Sequence, residues 1–528
     1  ALISTLPLTI ARNGSVAPNF LFNQAYINRK PSIRPSSFLA MTGSQTTINT
    51  PTSTSLENYS DAYKSLIKQL NTISQLERTA AVLSYDEMVF MPQSDETSKE
   101  RGLQKSALAA IIHEKSTDPQ IGEWITQSES DYSNAANDLS SNDLDSKMVL
   151  KLTKKSYEKK ARTSAELVAK KVELESRAYS TWVKARTENN FSLFQPVLEE
   201  SFEVAMEVAK VQRDSEDIPL YDEMLDTYEV GMASSRIDDL FSEVREALVP
   251  LIQKVLQSEK KLSSDDLYKT VKDFPLNQQK DFNEQIVCAL GFDTNHGRLD
   301  VSVHPFTTSF SPMDVRITSR FRTDEWHQGL AGSIHECGHA MYEQNLGNSG
   351  LKVDNALSMG MHESQSLFWE RHIGLSKSFW KYACPIVNQN LNTEYTEEEL
   401  YEAINAVSQS FIRVEADELT YGLHVILRYG IERDIIEGKL KVEDIPKRWN
   451  DDMKSFLNVD VPNDAKGCLQ DVHWSALLYG YFPTYLLGSM TAAQIAHYCK
   501  VEFPDMESMI EKGDFKPIKE WLSKKIHI

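Results

Sequence analysis

Apolar residues recur at three- and four-residue spacing along most of this chain, the mark of amphipathic helices. In the stretch after Tyr59, Leu66, Leu70, Ile73, Leu76, Ala80 and Leu83 form one such stripe, and Pro92 ends it. A proline and the residue before it resist a helix interior. From Lys151 to Ala178 the chain lacks Gly and Pro and is dense in Ala, Glu, Lys and Leu. This predicts one long helix, paired with a second over about 193–211 as a hairpin or coiled coil. Another helix is predicted over about 235–256. The period changes between Gly291 and Phe321, where Gly and Pro punctuate short alternating runs. Val301, Val303, Val315 and Ile317 there predict small strands or a hairpin. Helical spacing returns over 324–347, 356–381, 396–428 and 470–497. The expected fold is mainly α: a large helical body with a cleft and a small β element just before a histidine-bearing helix. No internal repeat interrupts it.

Composition narrows the functions open to such a body. The 528 residues carry a formal net charge of −20. That argues against nucleic acid and against an anionic membrane surface, since both need a basic footprint. No stretch approaches the roughly 20 apolar residues of a membrane span. Five scattered cysteines form no CxxC pair and predict reduced thiols in an intracellular compartment. Residues 1–58 are rich in Ser, Thr, Asn and Pro, with basic but no acidic residues before Glu57. This is the composition of a transit peptide, plastid or mitochondrial, or of a disordered tail in a cytoplasmic protein. The fold is expected over 59–528 as a single domain, with a helical subregion to about 290 and the metal-site region beyond it.

The candidate chemistry lies in "AGSIHECGHAMYEQ", Ala331 to Gln344. Residues four apart share a helix face, so His335 and His339 aim at one point. Glu336 stands where it can reach a water held there without being a ligand itself. This is the zinc-peptidase pattern, with the glutamate as general base. Gly338 allows another element to come close to the helix. Cys337 points off the histidine face and reads as a packing residue. A catalytic zinc takes a third protein ligand and keeps one position open. "MGMHESQSLFWERH" offers Glu363 and Glu370 for this, and spacing does not choose between them. A structural metal in a helical scaffold would use four protein ligands, and no cysteine stands ready to join.

Seven ordered blocks carry a further resemblance. They are "YDEMVFMP" from Tyr85, "YDEMLDTYEVG" from Tyr221, "GFDTNHGRLDVSVHPF" from Gly291, "DVRIT" from Asp314, "IRVEADELTYGLHVILR" from Ile412, "GCLQDVHW" from Gly467 and "YGYFPTYLLGS" from Tyr479. With the histidine motif and the later His-Glu-Ser, the chain resembles the thermostable-type zinc carboxypeptidases known as the carboxypeptidase Taq family. Tyr85 and Val230 stand where that family commonly has tryptophan and proline. The resemblance implies one zinc ion per subunit on His335, His339 and Glu363, with Glu336 as base. It implies release of single C-terminal residues from peptides with a free C-terminus, with broad preference, by a metal-activated water. It also implies a homodimer, and it suggests Tyr485 or His473 as the oxyanion donor. A nitrogen and carboxylate ligand set also accepts cobalt or manganese. A bidentate arginine is the natural reader of a C-terminal carboxylate, and the blocks offer Arg413 first and Arg316 second. Asp417 and Asp471 are candidates for orienting His or Arg side chains, Glu415 for pairing Arg413, and His304 for shaping the cleft wall. A zinc endopeptidase or oligopeptidase of the same ligand class is the alternative.

Overall fold

The structure, a computed structural model, describes residues 59–92, 94–134, 143–258, 263–268 and 273–527. The transit-like segment 1–58 lies outside them. The fold is mainly α, 71% helical with one small sheet. Among the described residues no helix is long and apolar enough to cross a membrane.

Local chemistry explains many helix boundaries. Ser60, Ser94, Ser164, Ser358 and Ser376 each cap a helix by accepting a backbone N–H in the first turn. Such caps contribute about 1 kcal/mol each. The stretch predicted as one helix over 151–178 is broken at Ser164, which caps a new helix, leaving Asp143–Arg162 and Ala165–Thr187. The second of these pairs with Phe191–Gln212 as a hairpin, turning at Asn189 with φ 50°. Asparagine tolerates that left-handed conformation. The stretch predicted as one helix over 396–428 is broken. A helix Glu397–Ile404 is followed by irregular chain, a 3₁₀ turn Arg413–Glu415 and then the helix Glu418–Ile436. Asp417 starts that last helix by accepting from the Leu419 and Thr420 amides at 3.0 and 3.1 Å. Arg413 is therefore in a turn, not on a helix.

The β element has three strands, β1 (Gly297–Val301), β2 (Thr307–Ser311) and β3 (Asp314–Ser319), in the order β1-β3-β2. β1 runs parallel to β3, and β2 is an antiparallel edge strand with a bulge between Ser309 and Ser311. The valines and isoleucine marked β1 and β3; the polar run "TTSFS" of β2 carried no clear alternation. The sheet packs on the helix His327–Glu343, hereafter the motif helix.

Two large apolar cores lie side by side. One holds Trp182, Phe202, Leu427, Trp449 and Trp474. The other holds Phe282, Ile317, Trp326, Trp369 and Phe515. The helix Phe482–Glu502 enters both, with Leu486 and Leu487 in the first and Ala492 and Ile495 in the second. A smaller cluster around Leu66, Ile125 and Leu150 ties the first helices to Leu351 and Val353, in the segment after the motif helix.

Candidate active site

The motif helix buries Leu330, Ile334, Cys337, Ala340 and Met341, a helical stripe that fixes its roll. His335 and His339 are then held on another face, rings 4.9 Å apart. Cys337 points into the core, its thiol 3.8 Å from the Val287 carbonyl. The helix Met359–Leu367 crosses the motif helix at Gly338. A Cβ there would lie 2.5 Å from the Gln365 carbonyl oxygen, so only glycine allows the crossing. Gly488, between the two cores, does the same on the other side: a Cβ would lie 2.7 Å from that of Glu363. Glu363 is thereby brought to the two histidines at the seam of the cores.

Glu363 Oε2 lies 3.7 Å from His335 Nε2 and 3.5 Å from His339 Nε2. One ligand atom from each of the three falls within 4.8 Å of the others. Ligands about 2.0–2.1 Å from a tetrahedral ion stand roughly 3.4 Å apart, so the set fits a metal with one position open. Both histidines are oriented for it from behind. His335 Nδ1 is 2.6 Å from Glu370 Oε2. His339 Nδ1 donates to the His362 carbonyl at 3.0 Å and also faces His362 Nδ1 at 2.6 Å. Burial, with His339 beside it, pushes His362 down to about 4, so its ring is neutral. Its one proton belongs on Nε2, which meets Glu343 at 2.9 Å. Glu363 and Glu370 are seven residues apart, nearly two helical turns, and both reach His335, one at each nitrogen. Shared placement is why spacing alone left them equivalent.

The carboxylates also set the acid–base state. Burial alone would lower the His335 pKa, but Glu363, Glu370 and Glu336 raise it to about 10. Metal entry must displace a proton from this ring, so apparent metal affinity is expected to fall with falling pH. Burial likewise works against the Glu363 carboxylate, yet His335, His339 and Arg371 bring it down to about 2. Replacing Glu370 with alanine removes the brace on His335 and is expected to weaken metal binding about 10- to 100-fold. Competition with a graded series of chelators measures this; unchanged affinity would remove Glu370 from the site.

Glu336 is 7% exposed, and the Thr307 hydroxyl on β2 lies 2.6 Å from its carboxylate and 3.0 Å from its carbonyl oxygen. This brace was invisible in the sequence because it depends on strand register. Thr307 pairs with Ile317 and faces the motif helix, whereas Thr308 pairs with Arg316 on the opposite face. Arg316 accordingly points away. It is held by Asp314 through two 2.9 Å bonds and stacks on Phe310 and Tyr85. That register separates it from Thr307 and Glu336, so the structure does not bring it together with the triad. His304, expected to shape the cleft wall, is exposed, and Pro305 beside it lies against Gly332.

The other wall gathers the remaining candidates. Arg413 is buried, donating from Nε and Nη2 to one oxygen of Asp471 at 3.1 and 3.0 Å. Arg428, fully buried, takes the other oxygen at 2.6 Å. Asp471 therefore orients two arginines; Glu415 is exposed and is not the partner expected for Arg413. Asp417 spends its oxygens on the helix start and on the Ser408 amide, a structural task. The guanidinium of Arg413 lies 4.7 Å over the ring of Tyr485. Tyr485 and His473 form one unit, hydroxyl to Nε2 at 3.1 Å. Burial, helped by Arg413, pushes His473 down to about 3, so the imidazole is neutral. Burial keeps the Tyr485 phenol protonated.

Comparison with known proteins identifies the family. A model of the family described as Carboxypeptidase Taq (M32) metallopeptidase matches residues 65–528. Carboxypeptidase 1 of Bacillus subtilis is 36% identical over 88% of this chain and 91% of its own. Thermostable carboxypeptidase 1 of Thermus thermophilus is 34% identical over 88% and 92%. The solved structure of Trypanosoma cruzi metallocarboxypeptidase 1 superposes with a TM-score of 0.82 at 34% identity, covering 88% of this chain and 92% of that one. The chain belongs to the carboxypeptidase Taq (M32) family and is a metallocarboxypeptidase.

Proposed function

We propose that this enzyme is zinc-dependent and releases single C-terminal residues from peptides, with broad preference. The observation that carries the reading is the buried Arg413, held by Asp471 and stacked on Tyr485, a ring that has both Arg413 and Glu363 of the triad as electrostatic neighbours. Its remaining N–H groups suit a carboxylate. His335, His339 and Glu363 would hold a divalent ion, which would supply Lewis-acid chemistry toward a water and the scissile carbonyl. Glu336, braced by Thr307, takes the proton of the attacking water and returns it to the departing amine nitrogen. The Tyr485 hydroxyl donates to the oxygen that becomes negative on the tetrahedral carbon, and neutral His473 steadies it. Arg413 holds the C-terminal carboxylate, which places the last peptide bond, and no other, at the metal. Assembly as a homodimer belongs to the same proposal; a solution mass twice that of the chain tests it.

Two peptides that differ only in a free or amidated C-terminus test the reading. The free acid is expected to give a ladder shortened one residue at a time, silenced by chelator and restored by zinc. The amide is expected to react about 10- to 100-fold more slowly, the worth of a charge-assisted hydrogen bond. Equal rates, or internal cuts, would turn the reading to an endopeptidase. Metal analysis of the purified protein separates zinc from cobalt or manganese.

A further inference from the structure

The cleft holds a second arginine that the reading above leaves unused. Arg371 lies in the π-helical stretch Phe368–Gly374, which continues directly from the helix bearing Glu363. Such stretches are frequent at functional sites. Its neighbour Glu370 braces His335. Its guanidinium carbon lies 4.6 Å over the ring of Tyr421, and Nη1 is 3.5 Å from the Ser489 hydroxyl. Ser489 follows Gly488, the residue packed on Glu363. The Tyr421 hydroxyl is itself 3.4 Å from Nη1 of Arg413, and the Tyr421 and Tyr485 rings meet edge to face at 6.3 Å. Arg371 and Arg413 thus flank one pair of tyrosines beside the metal triad.

The two arginines differ in how they are held. Arg413 is buried and committed to Asp471. Arg371 is partly exposed, and among the described residues no carboxylate lies within 4.0 Å of its guanidinium. None of the acids around it pairs with it: Glu370 is on His335, Glu363 belongs to the triad, and Glu418, at the start of the helix Glu418–Ile436, is exposed and feels Arg371 only at longer range. A guanidinium stacked by its face keeps its N–H edge free for an anion.

We infer that Arg371 sets the charge preference for the residue released, favouring acidic and disfavouring basic side chains. The inference rests on the carboxypeptidase reading. With the scissile carbonyl at the triad and the terminal carboxylate at Arg413, the released residue lies between them, and Arg371 borders that interval. An acidic side chain meets there a guanidinium with no carboxylate partner of its own; a lysine or arginine meets a like charge.

Three N-blocked dipeptides ending in Glu, Gln and Lys, each with a free carboxylate, test this on the full-length, zinc-loaded enzyme. The wild type is expected to show kcat/KM in the order Glu, Gln, Lys. In Arg371→Gln the Glu-to-Lys ratio is expected to fall about tenfold or more, each substrate being normalised to Gln. Arg371→Lys keeps the charge and is expected to keep the order, so the loss follows charge and not folding. An equal loss on all three substrates would overturn the inference and make Arg371 a support of the common carboxylate or of the fold. An unchanged ratio would overturn it as well. Release of Gln by the wild type with an unmoved ratio defeats only the role of Arg371; no release from any substrate by the wild type defeats the carboxypeptidase reading and this inference together.

Discussion

Glu336→Gln is expected to lower kcat by about 10²–10⁴-fold while the protein keeps its metal. Glutamine matches glutamate in shape, and its side-chain oxygen can still accept from the Thr307 hydroxyl, 2.6 Å away in the native protein. The variant therefore removes a base without removing its brace. His335, His339 and Glu363, the proposed ligand set, are untouched. Metal content by emission spectrometry should match the wild type, and kcat on a free-acid peptide should collapse with little change in KM. An active Glu336→Gln enzyme would end the base assignment. A variant that lost both metal and activity would place Glu336 among the groups that hold the ion. His335→Ala supplies the contrast, since it is expected to lose both together.

The parts of this site that could be read in the sequence are the parts that depend only on local geometry. His335, Glu336 and His339 share one helix, and helical spacing alone puts the two imidazoles together. Gly338 was legible as a point of close approach because a glycine inside a helix costs stability unless something needs the space; the Gln365 carbonyl is that something. Long-range pairings were not legible. Glu370 stood level with Glu363 as a possible third ligand, yet its oxygen is 2.6 Å from Nδ1 of His335, behind the ring. Nothing in the spacing says which of two acids seven residues apart takes which nitrogen. The placement of Arg316 was hidden for a different reason: a strand residue chooses its face by register, and the register of β3 came from its pairing with β2, a strand too polar to be recognised. The helix expected to carry Arg413 failed at Asp417, which caps the start of a new helix instead of continuing an old one. The mainly helical fold survived these errors, because it rests on apolar periodicity over hundreds of residues and not on any single boundary.

Asp471→Ala is expected to be the most destabilising single change in the cleft, at about 3–5 kcal/mol. The aspartate divides its two oxygens between Arg413 and Arg428, whose side chains are 7% and 0% exposed. Removing it leaves two cations buried side by side, each having lost its charged partner. Arg428 would keep the His424 carbonyl and the Gln470 side chain, neutral acceptors that cannot balance its charge. The effect also has a pH signature. Burial alone would raise the Asp471 pKa, but Arg428 and Arg413 hold it well below the usual carboxylate range. A group depressed on folding contributes its stability above its unfolded value, about 4, and loses it as pH falls through the folded value. The wild type should lose this contribution only in strong acid, and the difference between wild type and Asp471→Ala should be constant from about pH 5 upward and shrink below pH 4. Denaturation midpoints across that range check it; a pH-independent difference would mean the lost stability is packing and not charge. Function should follow the same residue. Asp471 spends one oxygen on the Nε and Nη2 edge of Arg413, which turns the rest of the fork toward Tyr421 and Tyr485. Once released, that arginine can still bind a carboxylate but no longer in a set direction. KM for free-acid peptides should rise more steeply than kcat falls, and the advantage of a free over an amidated C-terminus should shrink. If stability drops while that advantage stays whole, Asp471 supports the fold and the carboxylate is read elsewhere.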